Sequence, residues 1–225
     1  MEFKEIQFET DIGIISTDAL LVVDMQYDFM PGGALPVEAG DEIIKGINEV
    51  AQAFFKQKAK IILTQDWHPK NHLSFASNHP GKNPGDEYQT EAIGPVLWPD
   101  HCVQGTHGAN FHENLNLDVA HAIIRKGYNP NIDSYSGFLE NDKKSETGLA
   151  GLLKSLRIKR IFICGLALDY CCYFSAIDGK SFGFNVIFMP NLSKGIDIPS
   201  GNISISLEAM KKQGIKFANN NSFKS

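Results

Sequence analysis

Arg160-Ile161-Phe162-Ile163-Cys164-Gly165-Leu166-Ala167-Leu168-Asp169-Tyr170-Cys171-Cys172 reads as a short apolar strand that runs straight into a helix. A continuous apolar run of this kind is what a strand buried on both faces looks like. Cys164 falls inside the strand and reads as a small buried filler. Cys171 and Cys172 fall where the helix begins. A cysteine at a helix N-terminus sits near the positive end of the helix dipole, which favours the reactive thiolate. Successive helical residues point about 100° apart, so only one of the two faces a given crevice. Position alone does not choose between them.

Working outward, the same grammar repeats. Ala19-Leu20-Leu21-Val22-Val23 and Lys60-Ile61-Ile62-Leu63-Thr64 are two more apolar strands, and Ala122-Ile123-Ile124 is a third. Asn185 to Met189 and Ile215 to Ala218 complete a set of six. Between them lie helical periodicities. Ile43, Ile44, Ile47, Val50, Ala51, Phe54 and Phe55 recur at three- and four-residue spacing behind a cap at Asp41. Leu149 to Leu156, Asp169 to Ser181 and Ser204 to Lys212 are the other helices. Strands alternating with helices predict an α/β protein: a three-layer α/β/α sandwich around a mainly parallel six-stranded sheet of Rossmann type. Ligands in such folds bind beyond the carboxyl ends of the strands. The chain reads as one domain over residues 1–225, with residues 219–225 as a frayed tail.

Composition narrows the function. With 21 basic and 26 acidic residues the net charge is −5, and no dense basic run is present. Nucleic acid and anionic membrane surfaces are therefore poor partners. No apolar run approaches the roughly 20 residues that span a bilayer. Met1 to Thr10 lacks the basic and apolar regions of a signal peptide. Four cysteines in 225 residues do not make a disulfide framework. The chain is read as cytoplasmic.

The chemistry-bearing residues sit at strand ends and in one long loop. Asp24 closes the first strand, as either a turn cap or a general base. Lys126 follows the third, as either a surface charge or a cation facing the same crevice. Residues 65–121 form a polar, loop-like stretch, with six of the seven histidines between His68 and His112. Loops of that length in a compact domain are usually functional. Asp66-Trp67-His68 places two ligand types two residues apart, which on extended backbone point the same way. With His72 and His101 further along, the set suits Zn²⁺, Fe²⁺ or Mn²⁺ and leaves an open position. Trp98, three residues before His101, suits stacking on a flat ring.

In combination these motifs resemble the bacterial nicotinamidases (pyrazinamidases) of the isochorismatase-like cysteine hydrolase family. The motifs are Asp24-Met25-Gln26-Tyr27-Asp28-Phe29, Gln65-Asp66-Trp67-His68-Pro69, Trp98-Pro99-Asp100-His101-Cys102, Arg125-Lys126-Gly127, Asp133-Ser134-Tyr135-Ser136-Gly137-Phe138 and Gly165 to Cys171. The likeness runs from about Ala19 to Phe217. It implies an isochorismatase-like fold and deamidation of nicotinamide to nicotinate and ammonia, with pyrazinamide as a second substrate, through a thioester on Cys171. It implies a triad of Asp24, Lys126 and Cys171, and backbone N–H groups of Ala167 and Cys171 as the oxyanion hole, beside a cis Leu166–Ala167 peptide. It implies one divalent metal, zinc first and iron or manganese otherwise, on Asp66, His68 and His101. His72 falls where some relatives supply a further ligand and others do not. Phe29, Trp98 and Tyr135 would line the substrate pocket. Leu168 stands where many relatives carry Thr.

The partner implied is a small molecule, with the chain acting as a monomer or a small homo-oligomer. A hydrolase of another small amide or carbamoyl compound is the alternative within the family. A redox or metal-buffering protein using Cys171-Cys172, or an inactive binding module, would leave Asp24 and Lys126 without a purpose.

Overall fold

The computed structural model describes residues 5–224. Residues 1–4, on which part of the signal-peptide reading falls, and Ser225 at the end of the tail lie outside the described residues.

Six strands form one sheet: β1 (Asp18–Val23), β2 (Lys60–Asp66), β3 (Ala122–Lys126), β4 (Arg160–Leu166), β5 (Asn185–Lys194) and β6 (Lys216–Phe217). Their spatial order is β3-β2-β1-β4-β5-β6, and every neighbouring pair is parallel. From β1 the chain moves outward through β2 to β3. It then returns to the other side of β1 with β4. The order therefore reverses between β1 and β4, and the carboxyl ends of these two strands open a crevice at the switch point.

Four helices cover the sheet: α1 (Ile44–Lys56), α2 (Leu149–Ser155), α3 (Tyr173–Ser181) and α4 (Asn202–Lys212). Alternate residues of each strand point to opposite faces. Leu20, Val22, Ile61, Leu63 and Phe162 pack with Ile47, Val50 and Phe54 of α1 on one face. Ala19, Leu21, Val23, Ile161 and Ile163 pack with Leu149, Leu153, Ala176 and Met210 of the other three helices. Both faces are therefore buried, which is why the central strands are continuously apolar rather than alternating.

Several boundaries differ from the sequence reading, each for a local reason. Asp41 does not cap α1 with its side chain. The residue before the helix, Ile43, is already helical, and the Ile44 N–H is satisfied by the Asp41 backbone carbonyl at 3.2 Å. β2 runs on to Asp66, β3 to Lys126, β4 to Leu166 and β5 to Lys194, because parallel pairing continues past the apolar residues: Gln65 pairs with Arg125 and Asp66 with Lys126. The helix expected from Asp169 opens instead with a π-helical turn, Leu168–Cys172, before α3 begins.

The tail is not frayed at Asn219. Its side chain accepts the Asn221 N–H and forms a capping box with Ser222. Phe223 then meets the rings of Phe54 and Phe162. Leu168, fully buried, belongs to the second apolar cluster. None of the helices of the described residues is long and apolar enough to cross a membrane.

Candidate active site

Asp24, Lys126 and Cys171 come from the carboxyl ends of β1, β3 and β4, and the crevice brings all three together. The Lys126 Nζ, fully buried, lies 2.9 Å from Asp24 Oδ2 and 3.4 Å from Cys171 Sγ. It also donates to the Ser134 carbonyl at 3.1 Å and to Asp66 Oδ1. Asp24 takes a left-handed backbone, with φ at +47°, which turns the chain sharply at the strand end. Thr64, on the neighbouring strand, donates its hydroxyl to Asp24 Oδ1 at 2.6 Å. Parallel pairing of Val22 with Leu63 is what sets Thr64 near Asp24. Thr64 is a functional residue the sequence reading missed, because only the strand register exposes it.

Electrostatics set the protonation preferences of this trio. Burial pushes the Asp24 carboxyl up, and the Lys126 ammonium only partly opposes it. Burial likewise pushes the Cys171 thiol well above its usual range, with Lys126 again the main counterweight. The thiolate-favouring position read from the sequence is thus opposed by desolvation. For Lys126, burial favours the neutral amine, but Asp24 and Asp66 win and hold it charged. Cys172 is also fully buried, and its thiol is pushed up by burial first and then by Cys171 and Cys164.

A second wall, of Asp66, His68 and His101, brings one ligand atom each within 4.8 Å of one another, all three side chains buried, and Asp66 lies equally close to Asp24 and Cys171. β2 ends at Asp66. A parallel bridge between His68 and Val103 then carries the loop alongside itself. The His68 N–H reaches the Cys102 carbonyl at 3.0 Å, and His101 arrives next to His68. Further polar ties hold the loop. The Asp28 carboxylate accepts the Cys102 N–H at 2.7 Å. The Gln26 amide bonds both the N–H and the carbonyl of Asp66, each at 2.8 Å.

Each histidine has one nitrogen occupied by a backbone carbonyl, His68 Nδ1 by Gly127 at 2.8 Å and His101 Nδ1 by Pro99 at 2.8 Å. A carbonyl can only accept, so Nδ1 carries a proton in each ring and Nε2 is the nitrogen that the neutral ring can offer to a cation. That is the arrangement of metal-ligating histidines. In His68 this nitrogen lies 3.5 Å from Asp66 Oδ2, and Asp66 pushes that ring's pKa up against burial. One carboxylate and two imidazoles with open positions suit zinc, iron or manganese. Gly127, at φ +68°, lies so close to the His68 ring that any side chain there would collide with it.

Burial favours a carboxyl at Asp66, but Lys126 and His68 more than offset it and hold the group ionised. Burial, then His68, takes His101 down to about 4. His72 does not join the cluster. Its Nδ1 meets Ser74 Oγ at 2.7 Å and its Nε2 the Ile132 carbonyl at 3.1 Å, so neither nitrogen is free for a cation.

Between the two walls lies a pocket lined by Phe29, Trp98, Tyr135 and Tyr170 together with Cys171 and the metal-type residues. Trp98 Nε1 donates to the Tyr135 hydroxyl at 3.1 Å, which fixes both rings. Tyr170 packs edge-on against each of them. The Leu166–Ala167 peptide at the pocket edge is cis. Asp169 accepts the N–H groups of Ile196 and Asp197, both at 2.9 Å, which ties the cysteine turn to the chain after β5. Tyr170, Leu35 and Ile196 were not singled out from the sequence as pocket residues, because they are ordinary apolar or aromatic residues until the loops converge.

The chain is similar to known proteins along most of its length. The "Nicotinamidase" of Acinetobacter baylyi is 46% identical over 198 residues, 88% of this chain and 90% of that protein. The solved nicotinamidase/pyrazinamidase of Acinetobacter baumannii superposes with a TM-score of 0.87 at 43% identity, covering 91% of this chain and 97% of that one. The pyrazinamidase of Pyrococcus horikoshii, solved in complex with zinc, superposes with a TM-score of 0.75 at 41% identity, covering 90% and 99%. With the Isochorismatase domain model matching residues 18–219, the chain belongs to the isochorismatase family.

Proposed function

We propose that this chain is a nicotinamidase that hydrolyses nicotinamide to nicotinate and ammonia, and pyrazinamide to pyrazinoate, in cytoplasmic salvage of the pyridine ring. The observation that carries the reading is the Lys126 ammonium lodged between Asp24 Oδ2 and Cys171 Sγ. The likeness to nicotinamidases along most of the chain supports it. The two apolar clusters flanking one sheet support treating the whole chain as a single hydrolase domain.

In this reading Asp24 takes the Cys171 thiol proton. Burial raises both groups, and the Lys126 ammonium, which faces both, is the main counterweight that favours their charged forms. Lys126 stays charged and stabilises the thiolate. Sulfur attacks the amide carbon, and the developing oxyanion is received by the backbone N–H groups of Ala167 and Cys171. Losing one such donor costs about 100- to 1,000-fold in rate. Asp24 returns its proton to the departing nitrogen, releasing ammonia and leaving a thioester. Asp24 then deprotonates a water, which adds to the thioester. Nicotinate leaves, and the thiol is restored.

Phe29, Trp98 and Tyr135 hold the flat ring. Asp66, His68 and His101 would hold one divalent ion, zinc by preference. When bound, it supplies a Lewis-acid anchor for ring nitrogen or water.

Ammonia release from nicotinamide by the zinc-loaded protein tests the reading, with Cys171→Ala beside it. Release by the wild type and none by the variant is the expected result. No release by an intact, metal-loaded wild type would overturn the substrate, and equal release by Cys171→Ala would overturn the mechanism.

A further inference from the structure

Asp133 lies at the pocket, and one of its oxygens is left without a partner. The residue is 3% exposed and lines the cavity alongside Asp66, His68 and His101. Its Oδ1 accepts the Ser134 N–H at 2.9 Å. Its Oδ2 is buried and has no hydrogen-bond donor among the described residues. A buried acceptor in that state costs about 1–3 kcal/mol unless a partner arrives.

Most of the other buried polar atoms left without a hydrogen bond are explained differently. Asp24 Oδ2 is 2.9 Å from the Lys126 ammonium. Asp178 Oδ2 is 3.5 Å from that of Lys143. Glu140 does not line the pocket. Ser134 Oγ is a hydroxyl that can rotate. Asp66 and Asp133 are the two carboxylates facing the cavity. Among the charged side chains around Asp133, His68 acts on it most strongly, followed by Asp66 and Lys126. The free oxygen thus lies in the pocket that Asp66, His68 and His101 also line.

A cation on one carboxylate and two imidazoles keeps open positions, and water fills them. Such water is a strong donor that needs an acceptor at the protein. We propose that Asp133 Oδ2 accepts a hydrogen bond from water bound to the divalent ion on Asp66, His68 and His101, making Asp133 a positioning residue that raises metal affinity and orients that water. This rests on the metal-site reading above. Asp133 Oδ1 is held by the Ser134 N–H and Oδ2 has no donor among the described residues, so neither oxygen bonds a proposed ligand atom; beyond its charge beside His68, Asp133 acts through the water.

The test is the Zn²⁺ dissociation constant of the purified full chain, measured by competition with a chromogenic chelator. It is paired with thermal melting of the metal-free and zinc-loaded forms. In Asp133→Asn the side-chain oxygen still accepts the Ser134 N–H, but the position of Oδ2 becomes an N–H donor facing the water. Zinc binding is expected to weaken about 10- to 100-fold, as for other groups that support metal ligands from outside. The melting temperature of the metal-free variant stays equal to or above that of the wild type, while the rise on adding zinc shrinks. Should that variant not fold, Asp133→Ser, which lacks any acceptor at Oδ2, is expected to weaken zinc binding by the same factor. Unchanged zinc affinity in the variant with a raised KM would overturn the proposal and assign Oδ2 to the substrate amide. Unchanged affinity and unchanged KM would overturn it outright. If the wild type itself binds no zinc, and Asp66→Ala changes nothing, the metal reading falls and takes this inference with it.

Discussion

The two walls of the pocket are built on different principles. The thiol wall takes Asp24 and Lys126 from strand ends held by sheet register and Cys171 from the π-helical turn after β4, and its groups face Lys126 within 3.4 Å. The cation wall takes Asp66 from a strand end but His68 and His101 from loops, brought together by one bridge and a few polar ties. Its electrostatics are not closed. Each of its histidines has Nδ1 on a backbone carbonyl, and Asp133, in the same pocket, holds an oxygen with no donor among the described residues. Lys126, in contact with both Asp24 and Asp66, joins the two walls.

The comparison can be broken by substitutions that touch one wall and spare the other. The largest effect is expected from Cys171→Ala. Ammonia release should fall by about 10⁴-fold or more, since nucleophile removal costs on that order or above. Zinc affinity should change little, and a parallel loss of zinc would show that the walls are not separable.

Lys126→Met removes the shared cation and leaves Asp24 and Asp66 as buried, uncompensated charges. About 3–5 kcal/mol of stability should be lost in urea denaturation, the usual penalty for breaking a buried pair. A variant as stable as the wild type would mean that the two carboxylates find other partners.

His101→Ala should weaken zinc binding by at least the 10- to 100-fold that outer supporting groups cost. Alkylation of Cys171 by iodoacetamide should proceed at close to the wild-type rate. A large change in alkylation would couple the thiol to the cation wall more tightly than the geometry suggests.

The smallest effect on the site is expected from His72→Ala. Both ring nitrogens of His72 serve Ser74 and Ile132, so zinc affinity should stay within about threefold. Stability should drop by about 1–3 kcal/mol for the orphaned carbonyl and hydroxyl. A tenfold loss of zinc would restore His72 as a ligand.

Much of the sheet could be read from periodicity. Continuous apolar runs such as Leu20–Val23 and Ile161–Ile163 follow directly from burial on two faces, and three- or four-residue spacing marks α1. Boundaries were less legible. Backbone pairing carries β2 and β3 into Gln65, Asp66, Arg125 and Lys126, where side-chain polarity says loop. The tail was misread because a polar segment, 219–222, forms a turn that delivers Phe223 to a distant core. Side-chain character reports what each residue buries, not which strand it meets.

From the sequence alone came the α/β class, the metal-type residues of the 65–121 loop, the acid, the lysine and the cysteine pair, since apolar periodicity and residue chemistry are local properties. The resemblance added which of the two cysteines to single out and which residues to group. Only the tertiary structure decided the distances within each wall, the exclusion of His72 from the ligand atoms, and the roles of Thr64 and Gln26. It alone exposed the orphan oxygen of Asp133. These depend on strand register and loop convergence, which arise mainly from contacts between residues far apart in the chain, and no local pattern encodes them.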